Sequence, residues 1–234
     1  MSSDTTTTHV AEDLAAILGG MRPRLDSAEL ENYKLLLCMA AGGLAPRGAS
    51  PRSAAQTDAF RAVLTCLKDM RIGGTMWRGR PGFLTDGLLS ELQRESRHTR
   101  EIAKPTDRYL LGCGGQVADR FAMNDQLAEL VAGQFPGVHP TGIASYIYYD
   151  SEGQGLDPHV DTEIYAVNVI LMLEHVHFGR SSHLLVYDED VAPERIQLNP
   201  GELLILNAGS VVHAREDMGQ GERVGILTIG FASE

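Results

Sequence analysis

Apolar positions along the chain fall into two regimes, helical at first and strand-like later. In residues 10–18 they recur at helical spacing, after a threonine-rich stretch expected to fray. A second helix is announced by Asp26 and Glu29, side chains placed to satisfy each other's orphan backbone N–H groups. Leu30, Tyr33, Leu37 and Ala40 mark its apolar face, and Gly42-Gly43 is expected to end it. Residues 44–52, with Pro46 and Pro51, read as a loop. Ser53 and Gln56 form another capping box, opening a helix through about Met70 with Phe60, Val63, Leu64 and Leu67 buried. Helices are also predicted over 85–97, with Leu88, Leu89 and Leu92 inward, and over 124–134.

The period changes at Gly142. Short β-rich runs follow at 143–149, 165–173, 183–187, 202–206 and 224–231, separated by Gly, Pro, Asp and Asn. Short strands at this spacing predict a β-sandwich or a double-sheet jelly roll, so the fold class is mainly β with α. The expected organisation is a helical N-terminal extension over 1–75, packed on the larger sheet of a β domain over 76–234.

Charge narrows the partners. With 20 Lys+Arg against 31 Asp+Glu the net charge is -11, a field that repels phosphate backbones, so no nucleic-acid partner is expected. No run approaches the roughly 18–20 apolar residues of a membrane span, and the expectation is a cytoplasmic protein with no membrane partner. Cys38, Cys66 and Cys113 are odd in number and never in a CxxC pair, hence read as buried free thiols. The apolar helices near the N-terminus suit a dimer as readily as a core, so oligomeric state stays open.

The candidate chemistry lies in the β-rich half. His159-Val160-Asp161 places an imidazole and a carboxylate two residues apart, on one face of an extended strand, where both can grip one ion. His213, just past the 202–206 strand and the turn 207–210, is a third ligand candidate. Two histidines and a carboxylate form the facial triad of non-haem Fe(II) oxygenases, although zinc also accepts these ligands. Arg223, ten residues after His213, offers a planar fork of donors for a carboxylate.

In this order and spacing, HxD, the Asn199-Pro200-Gly201-Glu202 turn, His213 and Arg223 resemble the Fe(II)/2-oxoglutarate-dependent dioxygenase family, over about residues 142–231. Gly82-Phe83-Leu84-Thr85 is similar to the family's entry into its first supporting helix. The resemblance implies a double-stranded β-helix, iron ligands His159, Asp161 and His213, and Arg223 on the distal carboxylate of 2-oxoglutarate. Many members carry Ser or Thr two positions after the basic residue, where this chain has Gly225. Tyr148 is read as a cosubstrate contact; alternation puts Tyr146 and Tyr148 on one face and Tyr149 on the other, and periodicity does not say which face is inward.

The implied activity uses Fe(II), 2-oxoglutarate and O2 to hydroxylate an unactivated C–H bond of a small molecule, an amino acid or natural-product intermediate, with release of succinate and CO2. Asp161 favours hydroxylation, because related halogenases carry Gly or Ala at that position. A protein or peptidyl hydroxylase and a non-catalytic, cupin-like metal-binding protein are the competing readings; cupins usually supply HxH where this chain has His159 and Asp161. The His175, His177 and His183 stretch is read as structural or substrate-facing, Arg180 as a solvated turn residue and Trp77 as core.

Overall fold

The computed structural model describes residues 4–46, 53–179 and 181–233. In chain order the elements are α1 (Asp4–Met21), α2 (Ser27–Leu44), α3 (Ala54–Lys68), β1 (Met76–Gly79), α4 (Asp86–Glu101), β2 (Lys104–Pro105), β3 (Leu110–Cys113), α5 (Gln116–Ala122) and α6 (Asp125–Gln134). The β-rich half follows as β4 (Val138–Tyr149), β5 (Leu156–His159), β6 (Val167–Val176), β7 (Leu184–Tyr187), β8 (Glu194–Ile196), β9 (Leu203–Leu206), β10 (Val212–Arg215) and β11 (Arg223–Ser233).

The helix starts are set by the caps read in the sequence. Glu29 N donates to Asp26 Oδ1 at 2.9 Å while Asp26 N donates to Glu29 Oε2 at 3.0 Å, and Ser53 and Gln56 repeat the arrangement. Thr85 and Asn124 cap α4 and α6 in the same way, by accepting from Leu88 N and Leu127 N. Two expectations fail here. Helix α1 begins at Asp4 and takes in residues 4–8 of the threonine stretch, ahead of the start expected at residue 10. Helix α2 continues through Gly42-Gly43 to Leu44, because Gly42 serves packing: a Cβ there would sit 3.0 Å from the Pro158 carbonyl oxygen, where α2 crosses β5.

Two antiparallel sheets form the sandwich, a seven-stranded one ordered β1-β9-β6-β11-β4-β3-β2 and a four-stranded one ordered β5-β10-β7-β8. This is the jelly roll, one of the two architectures that the strand spacing predicts, and the double-stranded β-helix that the family resemblance implies. Helices α4, α5 and α6 cover the outer face of the larger sheet, with Leu89, Leu92, Phe121 and Leu127 packed against Tyr146, Tyr148, Leu227 and Ile229. Trp77 joins the edge of that core, as expected.

The N-terminal helices lie on the other side. Tyr33, Leu37, Phe60 and Leu64 of α2 and α3 bury against Tyr187, Val212 and Ala214, so they back the smaller sheet and not the larger one as the sequence reading had it. On the far side of α2, Leu35, Leu36 and Met39 are exposed. Of the thiols, Cys66 is buried and Cys38 half-buried, but Cys113 is exposed at the end of β3. Among the described residues no helix is long and apolar enough to cross a membrane. The 44–52 loop lies outside the described residues from position 47 onward, as does Arg180.

Candidate metal centre

Three predicted ligands meet at one point. His159 ends β5, and strand pairing sets it directly opposite His213 in β10, with ring centroids 4.3 Å apart. Asp161 follows two residues later, its backbone N–H donating to the Ala208 carbonyl at 2.8 Å. One side-chain atom from each of the three lies within 4.8 Å of the others. Asp161 Oδ1 is 3.3 Å from His159 Nε2 and 3.7 Å from His213 Nε2. No other group of three or more such ligands is found among the described residues.

Their neighbours leave the right atoms unengaged. The Nδ1 of His159 lies 2.8 Å from the Asp157 carbonyl oxygen and that of His213 lies 3.0 Å from Val211 O, contacts in which each Nδ1–H donates to the carbonyl. Both Nε2 atoms are therefore turned toward Asp161. Asn168, at the start of β6, donates to Asp161 Oδ2 at 2.8 Å and leaves Oδ1 facing the imidazoles. This donor set, two imidazole Nε2 atoms once His159 gives up its proton and one fixed carboxylate oxygen, fits a divalent ion that tolerates open coordination positions.

Electrostatics agree with that use. Burial, then the neighbouring His159, lowers His213 to about 4, which keeps it unprotonated at neutral pH. Burial works against the Asp161 carboxylate, but His213, His159 and Asn168 more than offset it and its pKa is lowered. Burial also opposes the His159 imidazolium, yet the hydrogen bond and charge of Asp161 prevail and its pKa is raised. A metal at this point competes with a proton on His159.

The triad opens onto a cavity of about 410 Å³ between the sheets. Its walls are largely apolar, with Ile147, Ile170, Met172, Leu184 and Ile226 from the strands, and polar groups confined to the triad, Asn168, Thr228, Ser145, three tyrosines and Arg215. Tyr149, buried in this wall, is pushed up to about 12 by burial, with Arg215 pulling it back.

Two predicted site residues are not in this cavity. Residues 224, 226 and 228 of β11 face inward, so Arg223 points to the outer face; its guanidinium side chain is 51% exposed and its Nη2 lies 3.4 Å from Glu174 Oε1. Tyr148 pairs with Gly225 on that same outer face, where its hydroxyl donates to Ser96 O at 2.7 Å and Arg100 lies 4.7 Å over its ring. Gly225, where the family resemblance favours Ser or Thr, lies under Arg100, whose Nη2 would be 2.9 Å from a Cβ there. Alternation reverses the tyrosine assignment, since Tyr149 faces the cavity.

A cavity residue that the sequence analysis did not single out is Arg215. It ends β10, whose alternation Val212, His213, Ala214, Arg215 sends Val212 and Ala214 to the helices and His213 and Arg215 into the cavity. That signal was present in the four letters, but only for a reader who had placed a strand there. Of the histidine stretch, read as structural or substrate-facing, two members are held by carboxylates: His175 Nε2 is 2.7 Å from Glu222 Oε1 and His183 Nδ1 is 3.1 Å from Glu216 Oε2.

No protein-family profile and no curated protein matches the chain by sequence. Solved structures do match in fold. The chain is similar to the non-heme alpha ketoglutarate dependent epimerase SnoN from nogalamycin biosynthesis, with TM-score 0.57, 14% identity, and 74% of this chain aligned to 83% of that one. A Pseudomonas putida prolyl-4-hydroxylase gives TM-score 0.56 at 18% identity, over 73% of this chain and 100% of that one. HygX from Streptomyces hygroscopicus, solved with nickel, 2-oxoglutarate and hygromycin B, gives 0.52 at 12% identity, over 70% and 84%. The fold is thus the double-stranded β-helix of Fe(II)/2-oxoglutarate oxygenases.

Proposed function

We propose that this chain is an Fe(II)- and 2-oxoglutarate-dependent oxygenase that hydroxylates an unactivated C–H bond of a small molecule, an amino acid or natural-product intermediate, releasing succinate and CO2. The observation that carries the reading is the convergence of His159 Nε2, Asp161 Oδ1 and His213 Nε2 at a cavity in this fold. His159, Asp161 and His213 would hold the iron, which supplies dioxygen activation coupled to decarboxylation of the 2-oxo acid. The protein's own part is orientation and exclusion of water. The carbonyls of Asp157 and Val211 fix the two rings, Asn168 fixes the carboxylate, and the aliphatic wall would limit water at the site.

The cavity's 410 Å³ lies in the size range of small-molecule pockets, which favours a small substrate over a polypeptide. Of the similar structures, one from nogalamycin biosynthesis and one holding hygromycin B accord with a small substrate, and the prolyl-4-hydroxylase accords with the peptidyl alternative. A cupin-like protein that only stores metal has no need of a 2-oxo acid, so thermal unfolding of the metal-loaded chain discriminates. With 2-oxoglutarate at ~100 times its dissociation constant the folded state should gain about 2.7 kcal/mol. No stabilisation of metal-loaded protein at any 2-oxoglutarate concentration would remove the oxygenase reading.

A further inference from the structure

Arg215 is a buried cation whose charge the surrounding protein leaves without a direct counterion. The residue is 6% exposed. Its Nη2 donates to Ser182 Oγ at 3.0 Å, its Nε has no hydrogen-bond partner, and among the described residues no carboxylate lies within ion-pairing distance of it. Its guanidinium sits 5.3 Å from the centre of the Tyr149 ring, in the wall of the cavity that holds the triad. Burying a guanidinium unpaired is costly, and proteins do so where a ligand supplies the anion.

The arginine is also held in place from behind. Ser182 Oγ accepts from Arg215 and donates to Glu222 Oε1 at 2.8 Å. Glu222 in turn accepts from Ser182 N, Gly219 N and His175. Of the charged groups nearby, Glu222 is thus turned toward Ser182, and Glu216 is engaged by His183 and Arg195. The guanidinium is left as the cationic group lining the cavity away from the triad.

We propose that Arg215, and not Arg223, binds the far carboxylate of the 2-oxo acid that the triad metal holds at its other end. This inference rests on the oxygenase reading. Residues two apart on a strand share a face and lie roughly 7 Å apart, so His213 and Arg215 present a metal ligand and a carboxylate fork at the two ends of a five-carbon dicarboxylate. Arg223 offers no such span, since it stands on the opposite face of β11 with Glu174 beside it. Arg215 therefore selects a 2-oxo dicarboxylate over a 2-oxo acid of equal length that ends in a methyl group. Ser182 is a positioning residue that acts through the arginine.

The test is anaerobic calorimetry on Mn(II)-loaded protein, titrated with 2-oxoglutarate and with 2-oxopentanoate. Wild type should bind 2-oxoglutarate roughly 10- to 100-fold more tightly, the range of a charge-assisted hydrogen-bonded pair. Arg215→Gln should lose that preference while still binding one metal ion, and Arg223→Gln should keep it. Ser182→Ala should narrow the ratio without altering 2-oxopentanoate affinity, which a purely structural role would not do. Should Arg215→Gln fail to fold, Arg215→Lys and Ser182→Ala decide, because an unchanged ratio in both overturns the assignment. An Arg223→Gln protein that loses the preference while Arg215→Gln keeps it also overturns it, and leaves the oxygenase reading intact. Metal-loaded wild type that binds neither acid sinks both.

Discussion

Replacing Glu222 by Gln should destabilise the protein by about 3 kcal/mol at neutral pH and flatten its loss of stability in acid. The carboxylate is 1% exposed and accepts four hydrogen bonds, from Gly219 N at 2.9 Å, Ser182 N at 2.8 Å, Ser182 Oγ at 2.8 Å and His175 Nε2 at 2.7 Å. Burial alone would raise its pKa, but these donors more than offset burial and bring it from 4.5 to about 2. The folded chain leaves this site unprotonated down to about pH 2, whereas the unfolded chain protonates it near 4.5, so unfolding takes up a proton in between. The stabilisation is complete above that unfolded value and drains away as pH falls toward 2. At 1.36 kcal/mol per unit the difference amounts to about 3 kcal/mol, or roughly 6–12 °C in Tm for a chain of this size.

Urea unfolding of wild type and Glu222→Gln from pH 7.5 down to pH 2 measures this directly. The two stability curves should lie furthest apart at neutral pH and converge at the acid end, with m-values unchanged. Curves that stay parallel over the whole range would refute the claim that Glu222 is an ionised carboxylate held by these donors.

Three further outcomes follow from the geometry. Asn168→Ala frees the Asp161 carboxylate from its 2.8 Å donor and should weaken Mn(II) binding by ~10–100-fold in calorimetry, with the stoichiometry still one. Because Asp161 raises the His159 pKa above its ordinary 6.5, metal affinity should decline as pH is lowered from 8 toward 6; a pH-independent affinity would show that His159 is not a ligand. Glu95→Ala removes the carboxylate that accepts from Val117 N, Ala118 N and the Tyr146 hydroxyl, and should cost ~2–3 kcal/mol in urea unfolding while leaving metal binding unchanged.

The sequence made the triad and the long strands legible for different reasons. β4, β6 and β11 stand out as extended apolar runs, and His159, Asp161 and His213 as a motif whose spacing is chemical. The strands that carry two of those ligands were not legible. β5 is four residues long and includes Pro158, and β10 is four residues of mixed character, so neither stands among the β-rich runs that the apolar pattern predicts.

The misplaced site residues have a common cause. The larger sheet is covered on both faces, by helices outside and by the cavity wall within, so Val224 through Phe231 are buried throughout and no polar alternation marks the inner side. A reader of the sequence has no handle on whether 223 or 224, or Tyr148 or Tyr149, looks inward. β10 does alternate, but in an unexpected sense, with its polar residues turned toward the interior. That inversion is what a functional site does to a strand, and it hid Arg215.

The central claim is tested most directly by succinate formation from 2-oxoglutarate in the presence of Fe(II), ascorbate and oxygen, with a panel of amino acids and natural-product intermediates added in turn. Wild type should release succinate at a rate that one class of panel compound raises, and His213→Ala and Asp161→Ala should abolish it. Succinate released equally by wild type and both variants would contradict the account, as would an absence of succinate with every compound from protein that also fails to bind 2-oxoglutarate when loaded with metal.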